Sequence, residues 1–339
     1  MSFQNLLRAA KLAGRGKRFK NTTARFNFYL ERELWNIHED LIVKKYEPGE
    51  YRHFVIYEPK ERTISAAPYR DRVVHHAIHN ILEPIFDPTF ISDSYATRRG
   101  KGTHAAIDRF QEFSRSRRYV LKCDIRKYFP SIDHQILMKL IKRKIACDDT
   151  LWLIQKVLDS HCRMAGNLPA SQPASQPAIG IPIGNLTSQF FANVYLNGLD
   201  HFIKEKLRCE CYLRYMDDFV LFHDDKDYLW QAKKKIMEHL DRLQLSLHER
   251  KCRVYDVTCG VSFLGLIVFP NVRRLKKANL VRFKKRLKRF QELHMNDSET
   301  WPHIYRSIRS WIGHASHANT MQLRKLMLEE VVFRTRKGD

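Results

Sequence analysis

The chain is short of acid. Its 339 residues carry 37 Asp and Glu against 60 Lys and Arg, a formal net charge of +23. Such an imbalance says nothing about fold. It points to a polyanionic partner, because basic side chains gain free energy by releasing counterions from phosphates. Nucleic acid is the first candidate and an acidic membrane surface the second. Long apolar runs are also missing. None approaches the roughly 20 residues that a bilayer-spanning helix needs, and the basic N-terminal stretch MSFQNLLRAAKLAGRGKRFK is too broken for a secretory signal. A soluble, intracellular protein is expected, with no membrane partner. The seven cysteines are scattered, with Cys209 and Cys211 one residue apart and no paired C-x-x-C spacings. That argues against a zinc ribbon or finger and predicts reduced thiols. Apolar residues, at 44%, are ordinary and suffice for a sizeable core. At roughly 100–200 residues per domain, the length suggests two or three lobes.

Periodicity predicts helices over residues 1–48 and an extended hairpin over 51–65, turning at Pro59, Lys60 and Glu61. A helix follows over 71–82, stopped near Pro84, and another over 103–114. A short β-rich run over 119–125 ends in an acid. Residues 133–163 read as helical. The SQPA repeat in residues 167–178 reads as an exposed, tolerated loop, since its prolines forbid a helix. A helix starts near Asn185. Two short β runs over 212–223 flank a tight turn, an amphipathic helix covers 226–243, and residues 261–269 are β-rich. From Asn271 onward the chain reads as basic and helical, without strand signal. The fold class is α+β with a helical appendage.

Two acidic signals carry the chemistry. Tyr215-Met216-Asp217-Asp218 lies between β-prone CYLR and FVLF, which sets adjacent carboxylates at a hairpin tip. Such acids repel, so a fold tolerates them in solvent or around a cation; a solvated Asp turn is the bland alternative. Val120-Leu121-Lys122-Cys123-Asp124 is an apolar run ending at one acid, for which a turn cap is the bland alternative. Taken together, three carboxylates on neighbouring strand ends can hold two Mg²⁺ ions, or Mn²⁺, through oxygen ligands. Two such ions suit in-line phosphoryl transfer, which needs positioning and charge neutralisation above all.

Tyr-x-Asp-Asp in a hairpin with Asp124-Ile125-x-x-Tyr128-Phe129 upstream resembles the palm of reverse transcriptases. Motif order agrees from about residue 51 to 275. Lys60-Glu61-Arg62-Thr63-Ile64 looks like the fingers segment whose arginine meets the incoming triphosphate. Asp71-Arg72-Val73-Val74-His75-His76-Ala77, Leu82-Glu83-Pro84-Ile85-Phe86 and Ser94-Tyr95-Ala96-Thr97-Arg98-Arg99-Gly100-Lys101-Gly102-Thr103 resemble the group-II-intron-related branch. Phe263-Leu264-Gly265 resembles the primer grip. The resemblance implies a right-hand polymerase. Fingers with an N-terminal region would span 1–103 and 133–182, a palm 104–132 and 183–269, and a helical thumb 270–339. It further implies RNA-directed DNA synthesis from dNTPs, with template RNA and an RNA/DNA hybrid as partners.

Most of the family carries Pro-Gln-Gly ahead of the dNTP-binding helix. Here the stretch is Ile181-Pro182-Ile183-Gly184-Asn185-Leu186-Thr187-Ser188-Gln189, with Ile183 at the glutamine position. That pattern is similar to the enzymes of diversity-generating retroelements. Those enzymes copy a template RNA with errors opposite adenines and work with a small basic accessory protein. A cytoplasmic location in a bacterium, archaeon or phage follows from the same resemblance. Physically, a glutamine can hydrogen-bond the nucleotide sugar where isoleucine offers only apolar contact. Losing a polar contact made best with a correct pair removes discrimination on the order of 1–3 kcal/mol.

By the resemblance, Asp124, Ile125, Asp217 and Asp218 form the metal site. Arg62, Arg126 and Lys127 meet the triphosphate, and Ile183, Gly184 and Asn185 line the nucleotide pocket. Phe129 excludes a 2′-hydroxyl, and Lys251 supplies a proton to pyrophosphate. Phe129 and Ile183 as core packing, and the cations as solvated surface, are the alternatives. Leu280, Phe283, Leu287 and Phe290 fall on one stripe of a basic helix, and Trp301, Tyr305, Ile308 and Ile312 suggest a second helix packing on it. Such a pair suits a thumb that tracks phosphates. Nothing after it resembles a nuclease domain. The rival readings are a faithful intron-like or defence-associated enzyme, and a non-catalytic RNA-binding scaffold.

Overall fold

The computed structural model describes residues 2–57, 61–164, 178–296, 298–329 and 331–333. Three helices open the chain: α1 (Phe3–Ala13), α2 (Asn21–Phe28) and α3 (Leu30–Ile42). Ser2 caps α1 by accepting from the Asn5 amide, as a hydroxyl before a helix does. A hairpin follows, β1 (Arg52–Ile56) against β2 (Arg62–Ala66), in antiparallel register from Arg52 opposite Ala66 to Ile56 opposite Arg62. Pro59 and Lys60 of its predicted turn lie outside the described residues, as does almost all of the SQPA loop.

Next come α4 (Tyr69–Phe86), α5 (Thr103–Ser116), β3 (Tyr119–Asp124), α6 (His134–Lys142), α7 (Asp148–Met164) and α8 (Leu186–His201). Helix α4 runs through Pro84 rather than stopping there. The proline sits in the last turn, so it costs the helix only the bond its own N–H would have made to the Asn80 carbonyl and leaves the turns before it intact. The chain continues as β4 (Tyr212–Tyr215), β5 (Asp218–His223), α9 (Lys226–Asp241), β6 (Arg253–Asp256), β7 (Val261–Phe263), β8 (Leu266–Val268) and β9 (Arg273–Leu275). Helices α10 (Lys277–Met295), α11 (Trp301–Ala315) and α12 (Met321–Glu329) end it.

The central sheet has strand order β4-β5-β3-β6, and β7-β8-β9 form a second antiparallel sheet. Strand β9 corrects the expectation of an entirely helical tail. Arg273 and Arg274 hide the strand from a composition-based reading, yet β9 pairs with β8 through Leu275 opposite Leu266.

Side chains alternate across β3. Leu121 and Cys123 enter a core built with α1, α3, α4 and α6 to α9, while Val120 enters a second core shared with α5, β7, β8 and the C-terminal helices. One strand therefore anchors both halves of the molecule, and its end, Asp124, sits where they meet. The C-terminal helices pack as a pair. Phe283, Leu287 and Phe290 are buried on α10, as the stripe predicts. On α11 the buried positions are Ile304, Trp311 and Ala315, with Ile308 and Ile312 partly covered. Trp301 and Tyr305 are each 49% exposed, so the buried face of α11 is rotated from the predicted one. Trp311 fixes that rotation by stacking on Phe283 at 3.7 Å between ring centroids. Mixed helix and sheet in this order form a right-hand polymerase fold.

Candidate active site

Strands β3 and β5 pair with Asp124 opposite Asp218, and β4 pairs with β5 with Tyr215 opposite Asp218. Met216 and Asp217 are thus the two residues of a tight hairpin turn. Met216 takes φ 59°, the left-handed conformation that a two-residue hairpin demands at its first position. The turn is tied to β3, because the Ile125 amide donates to the Asp217 carbonyl at 3.3 Å. In this way two strand ends bring all three predicted acids to one place.

Their electrostatics are those of crowded, desolvated carboxylates. Burial raises Asp217 to about 6, with the Asp218 charge the next contributor and Asp124 adding to it, opposed by Arg62. Burial also raises Asp218, opposed chiefly by Lys122. The Asp218 Oδ1 atom is buried without a hydrogen-bond partner, and Lys122 Nζ approaches it only to 3.9 Å. Asp124 Oδ2 instead accepts from Lys251 Nζ at 2.5 Å. An orphaned buried carboxylate oxygen beside two more acids fits a hard, oxygen-liganded cation. In this conformation, among the described residues, no three such side chains close around one point to form a ligand set. With Lys251 on Asp124, that carboxylate is turned toward a cation already present. Ile125 is 1% exposed, and its side chain is core. Only its backbone carbonyl is left to serve a metal, so its predicted metal role has to be a main-chain one.

The remaining predicted positions have different structural commitments. Arg62 is exposed as the first residue of β2, near enough to Asp217 to oppose its rise. Arg126 and Lys127 are exposed immediately after β3, and Lys127 holds φ 45°. Phe129 is half-buried, resting partly on the larger core. The Ile183 carbonyl accepts from the Ser65 amide at 3.0 Å, which fixes this half-buried residue against the β1–β2 hairpin. Gly184 follows at φ 121°, where a Cβ would meet Ile64 Cγ2 at 2.9 Å and the Ser65 carbonyl at 3.3 Å. Only glycine lets the hairpin approach this closely. Asn185 lines the cavity beside the hairpin but is buried, and its amide donates to Tyr51 Oη at 3.1 Å. It therefore braces α8 against the hairpin, and the predicted nucleotide contact finds its amide already engaged.

Sequence reasoning missed Arg214. It is 0% exposed and forms a buried ion pair with Asp200, Nη2 to Oδ2 at 2.7 Å. Its Nε donates to Asp200 Oδ1 at 2.8 Å, and Nη1 donates to Asn193 Oδ1 at 3.0 Å and to the Met216 carbonyl at 3.2 Å. Nη2 also donates to Ser94 Oγ at 3.3 Å. Tyr212 Oη donates to Asp200 Oδ1 at 2.6 Å. This network joins α8 to the acidic turn. The one signal for it was a charge inside the apolar run CYLRY, since a buried charge must be paired.

A cavity of about 680 Å³ opens beside the hairpin, lined by Lys17, Lys20, Arg52, Arg72, Gly184 and Gln189 among others. Burial lowers the Lys17 ammonium, and Arg72 and Lys20 reinforce the shift, as expected of clustered cations without acids.

The structure thus gathers three carboxylates near one hairpin turn and sets a basic-walled cavity beside the β1–β2 hairpin. The chain is similar to several known proteins. Protein YkfC of Escherichia coli (strain K12) is 26% identical, the match covering 69% of this chain and 70% of YkfC. Group II intron-encoded protein LtrA of Lactococcus lactis subsp. cremoris is 27% identical, with 68% of this chain matched and 39% of LtrA. The chain thus spans well under half of LtrA's length. Among solved structures, apo telomerase from Candida tropicalis aligns at 12% identity and a TM-score of 0.49, over 72% of this chain and 53% of that one. The sequence model described as reverse transcriptase (RNA-dependent DNA polymerase) matches residues 47–268, and the chain belongs to that family of RNA-directed DNA polymerases.

Proposed function

We propose that this polymerase copies a template RNA into cDNA by two-metal phosphoryl transfer, with relaxed discrimination against mispairs, as the enzyme of a diversity-generating retroelement. The observation that carries the reading is Ile183. Its backbone is fixed by Ser65, Gly184 packs on Ile64, and its half-buried side chain has no polar group to offer a nucleotide sugar. A wall this well fixed cannot recover the missing hydrogen bond by shifting.

Asp124, Asp217 and Asp218, with the Ile125 carbonyl, would hold the Mg²⁺ ions. When bound, these ions would activate a primer 3′-hydroxyl and neutralise the leaving pyrophosphate. The protein's own groups do the rest. Arg62, Arg126 and Lys127 receive the triphosphate, with a fork of donors at each arginine. Phe129 closes the space beneath the sugar. Lys251, released from Asp124, supplies a proton to the departing pyrophosphate. The basic cavity at Lys17, Lys20, Arg52 and Arg72 takes the template backbone as it reaches the hairpin. Adenine selectivity and the small basic accessory protein come from the resemblance. For the latter, α3 offers an acidic face at Glu31 and Glu39, flanking the 54% exposed Trp35.

Primer extension on a single template tests the reading, with Asp217→Asn as the inactive control. Ile183→Gln is expected to misincorporate on the order of 10-fold less often. Equal error rates would sink the low-fidelity reading. No wild-type extension under Mg²⁺, alone or with an accessory protein, would favour an RNA-binding scaffold. The similarity to LtrA favours one second reading, a faithful intron-like enzyme. A pair of near-repeats differing at adenines beside the gene separates the two, since only the mutagenic element needs them.

A further inference from the structure

We propose that Cys123 and Cys252 form a reversible disulfide directly behind the Asp124–Lys251 ion pair, a thiol modification site closed by a peroxide. Their Sγ atoms lie 3.0 Å apart, inside the core. Ordinary apolar packing would leave such groups about 3.5–4.0 Å apart.

Register explains the approach. Strands β3 and β6 pair antiparallel, ending with Lys122 opposite Arg253. Cys123 and Cys252 are the residues next to that last pair, and their sulfurs meet; one residue further along each segment, the side chains of Asp124 and Lys251 meet. Residues paired in an antiparallel ladder have Cα atoms about 4.5–5.5 Å apart, so the residues next to its last pair start near the span that a disulfide bridges. Closing the bond asks the sulfurs to move together by about 1 Å. Cys209 and Cys211 lie away from this pair on the β4 side of the sheet, while Cys147 and Cys259 are exposed.

The chemistry balances with hydrogen peroxide as the oxidant. The sulfur of Cys252, the less deeply buried of the two at 2% exposure, attacks one peroxide oxygen. The O–O bond breaks, leaving a sulfenic acid and one water. The Cys123 sulfur then displaces that hydroxyl, forming the S–S bond and a second water. Two thiols are oxidised by two electrons and one peroxide is reduced to two waters. A dithiol reductant reverses the bond by exchange.

The effect lies one residue away. Asp124 follows Cys123 in the chain, Lys251 precedes Cys252, and Lys251 Nζ is already 2.5 Å from Asp124 Oδ2. A covalent cross-link behind them holds the lysine on the acid and keeps that carboxylate from turning to a metal. The loss of extension rests on the polymerase reading above; the disulfide itself does not.

The test treats the full chain with hydrogen peroxide, alkylates the remaining thiols and maps peptides with and without dithiothreitol. A Cys123–Cys252 linked pair that disappears on reduction is expected. Primer extension should fall at least 10-fold on oxidation and return with dithiothreitol, while Cys123→Ala and Cys252→Ala keep extension through the same treatment. Peroxide that oxidises Cys147 and Cys259 without producing the linked pair would overturn the site. A linked pair with extension unchanged would support the disulfide and overturn its action on Asp124. Mapping of the wild type decides the site even where an alanine variant fails to fold.

Discussion

Lys251 Nζ lies 2.5 Å from Asp124 Oδ2, while across the strand pair the Oδ1 of Asp218 has no hydrogen-bond partner. One acid is neutralised by a hydrogen-bonded lysine, while its neighbour has only the more distant Lys122 ammonium at 3.9 Å as a counter-charge. Under the function proposed above, a cation entering this site would compete with the lysine for Asp124, and the displaced lysine would be free to face the leaving group.

The competition gives opposite expectations for binding and for rate. Lys251→Met should tighten Mg²⁺ or Mn²⁺ binding, measured by titration calorimetry without substrate. Its extension rate should nevertheless fall, by about 100-fold for a lost proton donor. A variant that weakens metal binding and rate together would show that the lysine organises the site instead of competing for it.

Asp217 sets a pH dependence. Its folded value is about 6, raised from 3.8 by burial first and the Asp218 charge second. A raised acid means that the folded chain holds its proton longer than the unfolded chain does. Stability therefore falls as pH rises from about 4 to about 6, and the cost is complete above that range. Asp217→Asn removes the cost. In metal-free buffer at pH 7.5 it should unfold with about 1–3 kcal/mol more stability than wild type, and the difference should vanish near pH 4. It should also abolish extension. Thermal melts at the two pH values check the sign; a destabilised variant at pH 7.5 would refute it.

Arg214 links the buried ion pair to the acidic turn. Arg214→Ala leaves Asp200 charged and unpaired inside the protein, a loss of about 3–5 kcal/mol. Arg214→Lys is the sharper variant. It keeps the charge beside Asp200 but cannot span Asp200, Asn193, Ser94 and the Met216 carbonyl with one fork. Without that carbonyl contact, Met216 at φ 59° loses a brace on a conformation that costs a non-glycine residue on the order of 1 kcal/mol or more. The expected outcome is a folded protein by circular dichroism with a lower kcat and a raised Mg²⁺ requirement at unchanged dNTP KM. A raised dNTP KM alone would place Arg214 in nucleotide binding.

What the sequence made legible was local. The acidic hairpin and the strand ending at Asp124 are each written in a few consecutive residues, and their partnership follows once both are strands. The contacts that decide the state of the acids are not local. Lys251 is 127 residues from Asp124, and Lys122 meets Asp218 across a strand pair. Arg214 reaches Asp200 through the packing of α8 on the sheet, which no pattern within either segment encodes. Strand β9 was hidden because Arg273 and Arg274 serve its pairing with their backbones alone. On α11, basic and aromatic residues fit two helical stripes about equally well. The stack of Trp311 on Phe283 chose between them, a choice made by shape.

The basic face of α10 yields the last prediction. Phe283, Leu287 and Phe290 are buried, which leaves Lys284, Lys285, Lys288 and Arg289 exposed on the outer side of the helix. Each such charge that meets a phosphate releases a counterion on binding. The slope of log affinity against log salt should then flatten by about 0.9 for every contact removed on a duplex. Lys284 and Lys288 lie four apart on one face, so a Lys284→Ala, Lys288→Ala double variant should flatten the slope by roughly two contacts. Affinity should fall equally for hybrids of different sequence, since phosphates carry no base identity. At low salt with saturating hybrid, the extension rate should be unchanged, because neither lysine reaches the acids. Fluorescence anisotropy across a salt series measures the slope directly. A slope identical to wild type would show that these lysines remain solvated and that the hybrid lies against another face of the C-terminal helices.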